Sequence, residues 1–215
     1  MQKTERTKIR RVPSRGSYDR SVINQILDAH FLCHVAFIYD NYPVVIPTLY
    51  GRQGDYLYLH GATSSRLMKS LGKGVNMSLS VTLVDGFVLA RSAFHHSMNY
   101  RSVVLFGQGS RIPEEEKYRS LKIISEHILP GRWEEVREPN TKELKATHLV
   151  SIPIREASAK IRTGPPIDEA SDYDLDVWAG VIPLKLIATY PEADPGLKDG
   201  VSVPGVLKQL LDKYA

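Results

Sequence analysis

Residues 63–73, Thr-Ser-Ser-Arg-Leu-Met-Lys-Ser-Leu-Gly-Lys, gather hydroxyls and cations in one short stretch. If this stretch is helical from Ser65 onward, Arg66, Lys69 and Lys73 stand at i, i+3 and i+7 and share a face. Leu67, Met68 and Leu71 take the opposite face, where they can pack on a sheet. The hydroxyls of Thr63, Ser64 and Ser65 sit at the helix start, where the first backbone N–H groups lack intrahelical acceptors. Such a corner can hold a phosphate or another anion. The same pattern also suits an ordinary capped amphipathic helix with a solvated basic face, so its surroundings must decide.

A second polar block, Arg91-Ser-Ala-Phe-His-His-Ser-Met-Asn-Tyr-Arg101, falls between two runs that read as buried strands. Polar groups in mid-sheet cost free energy unless they are paired. The block is either a long exposed hairpin tip or dimer-facing loop, or a rim that hydrogen-bonds a flat polar ligand. His95 and His96 are adjacent, so on a strand they face opposite ways. With no H-x-H or H-E-x-x-H, a metal site is not expected. No G-x-S-x-G elbow singles out a serine nucleophile. Neither G-x-G-x-x-G nor G-x-x-x-x-G-K-[ST] is present, which argues against a wound dinucleotide fold and a P-loop. The one cysteine, Cys33, lies in an apolar strand and reads as an inert buried thiol.

The chain of 215 residues suits one domain with extensions. Its hydrophobic fraction of 42% and charged fraction of 24% are those of a globular protein. No apolar run approaches the roughly 20 residues that span a bilayer, so no membrane association is expected. The basic N-terminus lacks an apolar core and does not read as a secretory signal. With the lone cysteine, this leads to an expected cytoplasmic location. The net charge of +4 is concentrated in the first 15 residues. No nucleic-acid-binding motif follows, so residues 1–17 are expected to form a flexible basic arm and not a nucleic-acid contact.

The elements that would position these groups are mostly short strands. Ser17–His30 has helical spacing at Val22, Ile23, Ile26 and Leu27, with Ser17 or Asp19 as cap. Strands are expected at Phe31–Tyr39, Val44–Tyr50 and Tyr56–His60, with turns at Asp40–Pro43 and Gly51–Asp55. Pro47 marks a bulge, an edge or a strand end. Two long strands, Val75–Ala90 and Arg91–Ile112, follow the basic helix. Glycines near 107–109 suggest a bend or a close backbone approach. A helix runs from Pro113 to about Ile128, and Asn140 or Thr141 caps a short one to Lys145. A strand from Thr147 extends to about Arg162, Ser171–Asp176 is exposed, and Val203–Tyr214 forms a terminal helix. This order favours an α+β chain, mainly β with flanking helices, folded as an antiparallel barrel.

Three ordered blocks carry a resemblance. They are Val-Ile-Pro-Thr-Leu-Tyr-Gly from Val45, Leu-Tyr-Leu-His-Gly-Ala-Thr-Ser-Ser-Arg to Arg66, and Val-Leu-Ala-Arg-Ser-Ala-Phe-His-His-Ser-Met-Asn-Tyr-Arg-Ser-Val-Val-Leu-Phe-Gly from Val88. Together they resemble the flavin-nucleotide-binding proteins related to pyridoxamine 5'-phosphate oxidase, a group that includes nitroimidazole-resistance reductases. The resemblance covers about residues 18–190 and leaves 191–215 as a C-terminal extension. It implies an antiparallel split β-barrel holding FMN at the interface of a homodimer. Carried over, Val45, Ile46, Pro47 and Thr48 would lie along the flavin ring. His60, Gly61, Ala62, Thr63, Ser64 and Ser65 would line the ribityl and phosphate region, and Arg66 and Lys69 would pair with the phosphate. Asn99, Tyr100 and Arg101 would face the flavin from the barrel or the partner, and Trp178 would lie near the site. The C-terminal Arg and His pattern of the true oxidase is missing. The implied function is therefore flavin-dependent oxidation or reduction of a small molecule. A flavin carrier or sensor without turnover is the alternative, and a haem-handling split barrel using His60, His95 or His96 is a third class.

Overall fold

In the computed structural model, which describes residues 1 and 3–213, the chain builds two antiparallel sheets with helices at their margins. In chain order the elements are β1 (Gly16–Ser17), α1 (Arg20–Asp28), β2 (Leu32–Tyr39), β3 (Tyr42–Leu49), β4 (Gly51–Gln53), β5 (Tyr56–Ala62) and α2 (Arg66–Gly72). Then come β6 (Asn76–Leu89), β7 (Ser97–Gln108), β8 (Ser110–Arg111), α3 (Lys117–Ile128), α4 (Thr141–Ala146), β9 (Thr147–Pro153), β10 (Glu156–Arg162), β11 (Gly180–Pro183) and α5 (Gly205–Lys213). The larger sheet has the order β1-β10-β7-β6-β2-β3, with β11 also pairing β6. The smaller has the order β4-β5-β9-β8. The two sheets share a core but do not close, which is a split-barrel arrangement.

Local chemistry explains most of these boundaries. Asp19 caps α1 by accepting from Ser21 N, and Ile23, Ile26 and Leu27 are buried on one helical face. Asp40 and Asn41 take φ values of 50° and 62°, a two-residue turn that joins β2 to β3 with the twist of the strands. Pro43 and Pro47 are tolerated because β3 ends the sheet. In β2, Cys33, Val35 and Phe37 point inward, and they meet Leu57 and Leu59 of β5 in one core cluster. Burying each such side chain contributes about 1.5–3 kcal/mol. Burial also pushes the Cys33 thiol up to about 12, so it stays protonated and unreactive.

Three expectations need correction. The strand drawn from Thr147 to Arg162 is two strands, because the chain changes sheets at Ile154–Arg155. Pro153 has no N–H to continue the ladder, and Ile154 N donates to Asp55 O at 2.8 Å instead. Gly51–Gln53 is a strand paired with Tyr56–Tyr58, and the turn is confined to Gly54, at φ 57°, and Asp55. The polar block 91–101 is not one strand either: Ala93–His95 is a single helical turn before β7.

The basic N-terminal arm makes defined contacts. The Arg6 guanidinium lies 2.7 Å from Glu156 Oε2, Thr4 Oγ1 donates to the same carboxylate, and Ile9 N donates to Tyr18 Oη at 2.9 Å. At the other end α5 packs near Gly131, where a Cβ would meet Val206 at 2.7 Å. Tyr214, expected to close the terminal helix, lies outside the described residues. Among the described residues no helix is long and apolar enough to cross a membrane.

Candidate functional site

The basic corner opens onto a cleft of about 390 Å³. Ile46 and Thr48 of β3 form one wall. His60, Gly61 and Ala62 at the end of β5 form another. Ser65, Arg66, Leu67 and Met68 at the start of α2 close the third side. Gly61 is needed for this closure, since a Cβ there would meet Met68 Cγ at 2.9 Å. The corner is fixed by its backbone: Thr63 N donates to Ala146 O at 3.1 Å and Ser65 N to Ala62 O at 2.9 Å. The Ser65 hydroxyl accepts from Met68 N and caps the helix. The N–H groups of Arg66 and Leu67 are left without intrahelical acceptors.

Arg66 is the cation this geometry aims at the cleft. Its guanidinium carbon lies 5.5 Å from the Tyr39 ring centroid, and among the described residues it has no carboxylate partner. Stacking on an aromatic face orients the fork without neutralising its charge. Lys69 does not line the cleft. It lies on the side of α2 toward His148 and adds, after burial and the Arg111 and Lys117 charges, to what holds that imidazole below its ordinary range.

His60 is the half-buried imidazole of the cleft. Among the described residues its buried Nδ1 has no hydrogen-bond partner, and burial lowers its pKa, so the ring is neutral near physiological pH. The unfolded chain protonates at about 6.5, before the folded one does. The stability this neutral ring allows is present above that value and lost as pH falls through the lower folded value. We expect the melting temperature to fall on going from about pH 7 to about pH 5, and His60→Gln to reduce that fall. His30 and His148 are shifted in the same direction and should retain the remainder. An undiminished fall in the variant would show that His60 does not take part.

The other residues named from the sequence are distributed differently. Val45 and Pro47 alternate with the cleft residues and face outward, Val45 being 60% exposed. Thr63 and Ser64 are exposed at the corner. Asn99, Tyr100 and Arg101 sit on β7, with β6 and β2 between them and β3. Asn99 Nδ2 donates to Gly164 O at 3.1 Å and its Oδ1 accepts from Arg162; Arg101 forks onto Asp85 at 2.7 and 2.9 Å. Asn99 and Arg101 thus bond within their own chain. Trp178 is 67% exposed, and its ring lies against Gly180. His96 Nδ1 accepts from Ala90 N at 2.9 Å, and His95 stands 3.7 Å from Glu169. Among the described residues no group of His, Cys, Asp and Glu could hold a metal ion. Leu67 and Met68, read from the sequence as packing residues, also form cleft wall.

The chain belongs to the pyridoxamine 5'-phosphate oxidase family, whose model matches residues 19–161. Two similar solved structures extend over nearly the whole chain. The flavocytochrome Anf3 from Azotobacter vinelandii is 39% identical, with 96% of each chain covered and a TM-score of 0.91. An FAD and haem binding protein from Mycobacterium smegmatis is 35% identical, covering 92% of this chain and 97% of that one, with a TM-score of 0.89. A protein from Bacteroides thetaiotaomicron described for 5-nitroimidazole antibiotic resistance is 22% identical over 68% of this chain and 86% of its own, with a TM-score of 0.57, and shares the fold. No curated protein matches the chain.

Proposed function

We propose that the cleft between β3 and the β5–α2 corner holds a flavin nucleotide and that the chain is a flavin-dependent oxidoreductase of a small molecule. The observation that carries this reading is the convergence on one cleft of a strand edge, a hydroxyl-bearing corner and an unpaired guanidinium. Ile46 and Thr48 would flank the ring, His60 to Ala62 the ribityl chain, and Ser65 and Arg66 the phosphate. These groups suit the FMN portion that FMN and FAD share, so FMN is the minimal ligand. Bound flavin would supply hydride or electron transfer, and the protein's part is to orient it and tune its electrostatics. Arg66 would neutralise phosphate charge, and Leu67 and Met68 would exclude water from one side.

A second copy of the chain would complete the site. Met98, Phe87 and Ile182 lie side by side on β7, β6 and β11, each about half exposed, and form an apolar row that a homodimer would cover. That arrangement would also let groups of a partner approach the flavin.

A second reading adds haem to the flavin. It is favoured by the flavocytochrome and the FAD and haem binding protein, which match this chain nearly end to end. A neutral, unpartnered imidazole such as His60 is the kind of ligand haem iron takes.

An absorption spectrum of the purified protein, with the released chromophores identified by mass, tests both readings. Flavin bands are expected, a Soret band would add haem, and light scattering should give twice the 24.2 kDa of one chain. NADH or NADPH should bleach the flavin, and a small-molecule acceptor should restore it. A colourless protein that takes up neither FMN nor FAD would end the proposal. Bound flavin that neither nucleotide reduces would leave a carrier or sensor.

A further inference from the structure

Another cleft, of about 870 Å³, shares no residue with the one just described. It lies where the two sheets part. Its floor can be read from the register: Glu156 of β10, Phe106 of β7, Ser78 of β6 and Ala36 of β2 stand side by side on adjacent strands. Beyond Phe106 the row continues with the small residues Ser78 and Ala36, and Gly107 follows Phe106 on β7. These small side chains leave a hollow beside the Phe106 ring. Ile38 and Pro43 bound it on the β2–β3 side, and Tyr56 and Pro153, paired across β5 and β9, bound it on the other sheet.

Charge in this cleft is one-sided. Its carboxylate, Glu156, is taken up by the Arg6 fork at 2.7 and 3.1 Å and by the Thr4 hydroxyl. Arg155 is the other cation on the rim. Its side chain is exposed, and among the described residues it has no carboxylate partner. Ser78, Ser110 and Ser151 add hydroxyls, while Asn76 and Gln108 bind each other at 3.0 Å. A hollow beside Phe106 and Ala36, the Tyr56 ring across it and one guanidinium without a carboxylate partner at the edge make a composite receptor. The floor accepts a flat hydrocarbon body, and the fork accepts a planar acid by two parallel hydrogen bonds.

We infer that this cleft is a second binding site, for a flat, mostly apolar small molecule that carries one acidic group. Arg155 binds the acid, Phe106 and Tyr56 contact the body, and the Arg6–Glu156 pair fixes the N-terminal arm as one wall. The inference does not depend on flavin occupying the smaller cleft.

The test uses the full chain and two fluorescent probes. One is 1-anilinonaphthalene-8-sulfonate, and the other is N-phenyl-1-naphthylamine, the same ring system without the acid. Each should bind the wild type saturably at one site per chain. Arg155→Gln, an exposed change that leaves the fold intact, should weaken the sulfonate roughly tenfold and leave the uncharged probe unchanged. Ser78→Trp, checked for a native melt, should fill the hollow and remove both. Absence of saturable binding to the wild type, as when a second copy of the chain covers the cleft, overturns the inference. So does unchanged sulfonate affinity in Arg155→Gln, or unchanged binding of both probes in a folded Ser78→Trp protein.

Discussion

Arg66→Ala is expected to raise the dissociation constant for FMN by roughly tenfold to a hundredfold. Lys69→Ala should change it by less than about threefold, the range of an exposed, screened charge. The two residues are equivalent on a helical wheel but not in the structure. Arg66 stands at the first turn of α2, lines the cleft and is steered by the Tyr39 ring. Lys69, one turn later, is turned toward the His148 side. The seven residues of α2 give only a short stack of peptide dipoles, so the guanidinium must carry most of the attraction for a phosphate dianion. Quenching of flavin fluorescence on titration with apoprotein measures both constants. Arg66→Lys should recover part of the loss, because an ammonium keeps the charge but not the fork. If Arg66→Ala titrates like the wild type, the phosphate is held elsewhere.

That asymmetry marks the boundary of what could be read from residue order. Features fixed by neighbours in the chain were legible. The turn at Asp40–Asn41 and the two candidate caps of each helix, Ser17 or Asp19 and Asn140 or Thr141, follow from local donors, acceptors and backbone preferences, and the structure selects Asp19 and Asn140. Of the contiguous run named from the sequence, His60, Gly61, Ala62, Ser65 and Arg66 line one cleft, while Thr63 and Ser64 do not. Features set by distant partners were not legible. Arg101 is held by Asp85, and Asn99 by Arg162 and Gly164, so one chain does not gather them at the cleft. The change of sheet at Ile154–Arg155 was invisible because apolar residues continue on both sides of it. The larger cleft arises from small residues brought into register from separate strands, and no single segment announces it. Leu67 and Met68 were read as packing from their helical spacing, and one residue can both pack and line a cleft.

Gly51→Ala should destabilise the protein by about 3 kcal/mol or more, by forcing an extra carbon into a closed interface. Residue order made Gly51 a turn glycine. The structure makes it a buried strand glycine on which α3 rests. A Cβ there would stand 2.6 Å from Ile124 Cα, 2.9 Å from Ile124 N and 3.0 Å from Ile123 O. All three are backbone atoms of one helix, so no rotamer can relieve the contact. Either α3 shifts or β4 leaves β5, and Tyr50, whose hydroxyl donates to Leu27 O at 2.6 Å next door, is strained in both cases. For a chain of this size the melting temperature should fall by roughly 6–12 °C. Gly54→Ala is the matched control: φ is 57° there but nothing lies within 4 Å, so only the left-handed conformation costs, about 1 kcal/mol. Thermal melts of the two variants should separate clearly. Equal melts would mean that α3 does not lie against β4 as closely as the geometry requires.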